Sequence, residues 1–138
     1  MNLKLNRDGL KTIDEHALKS FPRECCGLFF GKFGENVIEV EEVVEADNVL
    51  GSPVAFEADA ELVFKAIKRA EKSGLELVGI YHSHPKIAAY VSARDSEMMK
   101  LWPGVVGMIV SVVEDHILER KAHVFKNDKT EEIEIKTS

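Results

Sequence analysis

The chain has 138 residues, of which 45% are hydrophobic and 30% charged, and its formal net charge is −6. That length predicts one domain, residues 1–138, with a core large enough to need no disulfide staples. The acidic balance excludes an electrostatic drive toward nucleic acid or an anionic membrane surface.

Arg7 to Ser20 reads as a helix, with Leu10, Ile13 and Ala17 on one face, Asp8 as candidate N-cap and Phe21-Pro22 as its stop. Cys26 to Phe33 reads as a strand apolar enough to be buried on both faces. After the turn Gly34-Glu35-Asn36, Val37 to Val44 alternates partly, as a strand with one wet side does, and its glutamates form a solvated face. Asp59 to Lys72 is the clearest helix, striped by Leu62, Val63, Ala66, Ile67 and Ala70 and stopped at Ser73-Gly74. Leu75 to His84 is an apolar strand, and Ser92 to Trp102 a helix whose Met98, Met99 and Trp102 read as core. Val105 to Val113 and His116 to Phe125 pair as two strands, and Glu131 to Lys136 reads as a last edge strand. The mixture predicts an α/β (α+β) fold: a central curved, mostly antiparallel or mixed sheet flanked by about three helices.

Cys25 and Cys26 are adjacent, and neighbours in sequence make poor disulfide partners. They read as reduced, buried thiols, which fits a cytoplasmic protein. The start, Met1 to Asp8, lacks the apolar stretch of a signal peptide. The longest apolar run, Val105 to Val113, falls far short of the roughly 20 residues that cross a bilayer, so no membrane association is expected.

Three features could carry chemistry. His82 and His84 stand at positions i and i+2 of a strand end, so both imidazoles face the same side and can meet one metal ion. Taken alone, they read more readily as two polar residues at a strand end, satisfied by local hydrogen bonds. Ser92-Ala93-Arg94-Asp95 taken alone is a capping box. Capping also pins first-turn side chains, and a pinned Asp makes a good ligand. Glu24 precedes a strand too apolar to welcome a free charge. Two His and one Asp suit a catalytic zinc that keeps a fourth position for water. A nearby carboxylate can move that water's proton, and a hydroxyl can donate to a developing oxyanion. His16, His116 and His123 lack metal spacing and read as structural or surface residues.

The string His82-Ser83-His84-Pro85, the seven residues Pro85 to Val91, and Ser92-x-x-Asp95 resemble the HxH-x7-SxxD signature of the JAMM (MPN+) zinc metalloproteases. Arg23-Glu24-Cys25-Cys26-Gly27-Leu28 and Gly79 to Pro85 resemble its compact archaeal and bacterial branch, and the likeness covers nearly the whole chain. The resemblance implies an MPN-like domain in which His82, His84 and Asp95 bind one Zn2+ per chain. It implies that Glu24 is the catalytic acid–base and that Ser92 holds the oxyanion. The implied activity is a deubiquitinase-like desampylase: hydrolysis of the peptide or isopeptide bond after the C-terminal Gly-Gly of a ubiquitin-like or sulfur-carrier protein. Such a tail is expected to add to a sheet edge by backbone pairing, bordered by the Leu50 to Phe56 loop. The resemblance also allows a homodimer.

One residue departs from the family pattern, in which proline commonly precedes the serine: Val91 stands there, and a looser Pro85 to Val91 loop is expected. The alternative reading is a non-catalytic MPN scaffold that binds a ubiquitin-like protein, but such relatives usually lack the ligands present here. Zinc deaminase chemistry is excluded, since it needs H-x-E and a later P-C-x-x-C.

Overall fold

In the computed structural model, which describes residues 1–138, the chain runs β1 (Asn2–Leu5), α1 (Arg7–Ser20), β2 (Cys26–Phe33), β3 (Val37–Ala46) and α2 (Ala60–Lys72). It continues through β4 (Glu76–Pro85), α3 (Ala93–Lys100), β5 (Val106–Val112), β6 (Ile117–Lys126) and β7 (Lys129–Thr137). The seven strands lie in the order β1-β3-β2-β4-β5-β6-β7, and β7 pairs back onto β1, so the mixed sheet closes on itself. This is a single α+β domain with three helices, as the alternation of elements predicts.

Successive side chains of a strand go to opposite sides, and β2 sorts the layers accordingly. Phe29 enters the main core with Ile13 and Ala17 of α1. Leu28 and Phe30 face the other way, onto Ala66 and Ala70 of α2. Both faces of β2 are thereby covered, which accounts for its near-continuous apolar run.

Strand β4 carries a bulge. Phe29 pairs with Gly79 and Phe30 with Leu77, which leaves Val78 as the extra residue. The bulge resets the alternation, so Val78 and Tyr81 both reach the main core while Ile80 turns to the α2 side. His82 and His84 follow Ile80 onto that side by the period of two.

Three expectations are corrected. The cap of α1 is Asn6, whose side chain accepts from the Gly9 amide at 2.7 Å; Asp8 lies inside the first turn. Strand β1 has no counterpart in the sequence reading. Because β1 fills the gap, β7 is no edge strand, being paired with β6 and with β1.

Gly27 shows how tightly the β2–β4 pair is built. It stands opposite Tyr81, and a Cβ there would lie 2.1–2.4 Å from the tyrosine ring. Tyr81 cannot yield, since it is fully buried and its hydroxyl is 2.8 Å from His16 Nδ1. Gly27→Ala is therefore expected to destabilise the fold by about 2–3 kcal/mol, read as a lower urea midpoint with an unchanged m-value.

Candidate metal centre and active site

The site forms where β4 ends. Strands β4 and β5 are parallel, so the chain between them must cross over, and α3 makes that crossing. The crossover helix starts beside the end of β4, which brings Ser92 and Asp95 to His82 and His84. Strand β2 runs antiparallel to β4 with Cys26 opposite His82. The Ser83 amide donates to the Cys25 carbonyl at 3.1 Å, and two register steps beyond Cys26 bring Glu24 level with His84.

Ser92 caps α3 in both directions of a capping box: its hydroxyl accepts from the Asp95 amide at 3.0 Å, and Asp95 Oδ2 accepts from the Ser92 amide at 3.1 Å. The cap holds Asp95 in one orientation. His82 Nε2 and His84 Nε2 lie 3.1 Å apart, and each is 3.1 Å from an oxygen of Asp95. His82 meets Oδ1 and His84 meets Oδ2, and one ligand atom from each of the three residues lies within 4.8 Å of the others, close enough to share one ion. All three residues are buried.

The chemistry of the donors agrees with the geometry. His84 Nδ1 donates to the Ala88 carbonyl at 3.0 Å, so a neutral His84 points the lone pair of Nε2 at the centre. An imidazole lone pair and a carboxylate converging on one point need a cation between them. Burial raises the Asp95 carboxyl, but the two imidazoles outweigh it and hold Asp95 well below the usual carboxylate range. Burial lowers His82 and keeps it neutral. Burial also lowers His84, but its bonds to Asp95 and Ala88 more than offset this, and the net shift is upward. The residues present fit a zinc ion.

Glu24 is only 5% exposed, yet no protein group hydrogen-bonds its carboxylate. Its backbone is fixed instead: the amide donates to Ser52 and the carbonyl accepts from Asn48 Nδ2 at 3.0 Å. Burial pushes the carboxyl up to about 7, with Asp95 adding to the rise and His84 and Arg94 opposing it. The stability consequence has a definite sign. Below the unfolded value of 4.5 both states are protonated; between 4.5 and about 7 only the unfolded chain ionises, so folding stability falls as pH rises. Replacing Glu24 by Gln should remove that fall, raising metal-free stability at pH 8 by about 1–3 kcal/mol relative to the parent and leaving it near parity at pH 4. Thermal melts of both proteins at the two pH values check this.

Glu24, His84, Ser92 and Asp95 line one cleft of about 480 Å³, together with Phe56 and Tyr90. His82 lies deeper, its ring stacked on Phe56 at 4.5 Å between centroids. Tyr90 meets His84 edge-on at 5.5 Å. The Leu50 to Phe56 loop contributes Val54, Ala55 and Phe56 to the wall. Trp102 is corrected: α3 ends before it, and the side chain is 42% exposed at the cleft rather than core. Cys25 and Cys26 are buried, with thiols pushed up to about 11 and about 12 by burial, which disfavours the thiolate a nucleophile needs. His16 is structural, held against Tyr81.

Sequence reasoning missed Asn48. Its amide donates to Glu24 and Ala55 and accepts from Leu50 and Glu57, which folds the cleft-lining loop around one side chain. An Asn beside a turn is the only signal the sequence offers for it.

The family described as prokaryotic homologs of the JAB domain matches residues 7–124. The chain belongs to the prokaryotic JAB-domain family. This JAB-domain chain is 47% identical over 88 residues to a desampylase of Pyrococcus furiosus, a match that covers 64% of the chain and 59% of that relative. It thus spans under two thirds of the length of that relative. It is 34% identical to a desampylase of Haloferax volcanii over 114 residues, covering 79% of the chain and 80% of the relative. A solution structure of a Desulfitobacterium hafniense protein superposes with a TM-score of 0.86 at 28% identity, covering 100% of this chain and 93% of the other. No helix of the JAB domain is long and apolar enough to cross a membrane.

Proposed function

We propose that the chain is a zinc-dependent isopeptidase that hydrolyses the bond after the C-terminal Gly-Gly of a ubiquitin-like or sulfur-carrier protein. One observation carries the reading: a buried triangle of three metal-donor atoms shares a cleft with an acid that has no hydrogen-bond partner of its own. Likeness to two proteins named desampylase supports the substrate class.

His82, His84 and Asp95 would hold the metal. A bound zinc supplies an acidified water and a Lewis acid for the scissile carbonyl. Glu24, unbonded and facing the cleft, accepts the proton of the attacking water and delivers it to the departing amine. The Ser92 hydroxyl oxygen already accepts from the Asp95 amide, which leaves its own proton free to donate to the carbonyl oxygen as charge develops there. The extended tail lies in the cleft between the Leu50 to Phe56 loop and Tyr90, both of which line it.

Metal analysis combined with cleavage of linear fusions and lysine conjugates of ubiquitin-like proteins tests the reading. Zinc near one per chain and cleavage stopped by chelator are the expected results. Zinc without cleavage of either substrate would replace the enzyme with the binding-module reading.

A further inference from the structure

The stretch Lys86–Val91 joins β4 to α3 without helix or strand of its own. Lys86 adopts φ +67°, a left-handed conformation that costs a residue with a Cβ about 1 kcal/mol or more. Val91 does not lock the backbone at the end of the stretch as a proline would. The segment is nonetheless held at four successive residues. The Lys86 amide donates to Val112 at 2.8 Å. The Ile87 carbonyl accepts from the Ser111 hydroxyl. The Ala88 carbonyl accepts from His84 Nδ1 at 3.0 Å, and the Ala89 amide donates to Glu119 Oε2 at 2.9 Å. Ser111 and Glu119 are cross-strand partners on β5 and β6, so the two prongs come from one point of the barrel wall.

We infer that Glu119, with Ser111 beside it, is a positioning residue for the metal centre: by clamping Ile87 and Ala89 it holds the Ala88 carbonyl where it keeps the His84 proton on Nδ1. The inference rests on the reading of His84 as a ligand. Ala88 sits between the two clamped residues, so its carbonyl cannot move without breaking one of the prongs. An ionised acceptor bonds an amide more strongly than a neutral one. Glu119 has little else to do. Its side chain is 37% exposed, and its only ion-pair partner is Lys121 at 3.9 Å. Without the prong, the Ala88 carbonyl drifts, the imidazole samples the Nε2–H form, and the lone pair aimed at the metal is lost for part of the time.

The test compares Glu119→Ala and Glu119→Gln with the parent. In the metal-free proteins, at a pH high enough to leave His84 neutral, nitrogen-15 NMR of the imidazoles reports its tautomer. In parallel, competition with a chromophoric chelator reports zinc affinity. The parent and Glu119→Gln, which keeps an acceptor oxygen, are expected to show the Nδ1–H form and affinities within about twofold of each other. Glu119→Ala is expected to show a mixed tautomer and about tenfold weaker zinc binding. An unchanged tautomer and affinity in Glu119→Ala would overturn the inference, as would an equal loss in Glu119→Gln. Failure of the parent to bind zinc would instead overturn the ligand assignment, while the tautomer measurement still decides the clamp.

Discussion

Glu24→Gln is expected to cut kcat for conjugate cleavage by about 10²–10⁴-fold, with zinc content and KM unchanged. Glu24 is the buried acid of the cleft that caps nothing and bonds nothing, whereas Glu57 is exposed and Asp95 is held by Ser92 and both imidazoles. Gln matches the shape of Glu and takes no proton, so the change removes proton transfer alone. Without metal, burial sets the Glu24 carboxyl near 7. A divalent cation nearby favours the ionised form and brings it lower. Activity should therefore fall on the acid side as Glu24 takes up its proton, and the limb of the pH–rate profile should lie below pH 7. Single-turnover cleavage by zinc-loaded protein, with metal content measured on the same samples, checks both statements. Cleavage by the Gln variant within threefold of the parent would remove Glu24 from the mechanism.

Asp95→Asn separates the two jobs of one side chain. Asp95 Oδ2 both accepts from the Ser92 amide and completes the donor triangle. Asn keeps an oxygen for the amide and loses the charge, so α3 should remain capped while zinc affinity falls by more than about a hundredfold. Asp95→Ala should lose the zinc equally and in addition lower stability by about 1 kcal/mol, the usual worth of such a cap. Circular dichroism melts of the metal-free variants, set beside chelator competition, distinguish the two effects. Retained zinc in Asp95→Asn would show that the ion sits elsewhere.

Much of this was legible because the metal donors are local in the chain. A period of two places His82 and His84 together, and a capping box places Asp95, so a short stretch of sequence specifies the triangle without knowledge of the fold. Glu24 is different. Its distance in sequence is bridged by the Cys26–His82 register, which no spacing rule reveals: the apolar strand after it marked the residue, and the family likeness gave it a role. The bulge at Val78 was equally hidden, because an extra residue in an apolar strand changes no pattern when both faces are buried. Asn6 took the cap from Asp8 because the helix begins at Arg7, and two Asx residues so close compete for one role. Strand β1 escaped notice since four residues carry too little periodicity to stand out. Ser111 and Glu119 escaped because side chains that hold a loop from a distant strand leave no signature in order or spacing.

The closed sheet has a consequence for how the protein behaves in a crowded solution. An open sheet offers a row of unpaired amides and carbonyls on which another molecule can template, the first step toward fibrils and edge-to-edge precipitation. Here β1 and β7 satisfy each other along Asn2–Leu5 and Glu134–Thr137, so that row is used up within the chain. A second copy cannot add a strand along that seam. A homodimer seated across it must be built from side chains on the outer faces, and should dissolve under conditions that leave the backbone ladders intact.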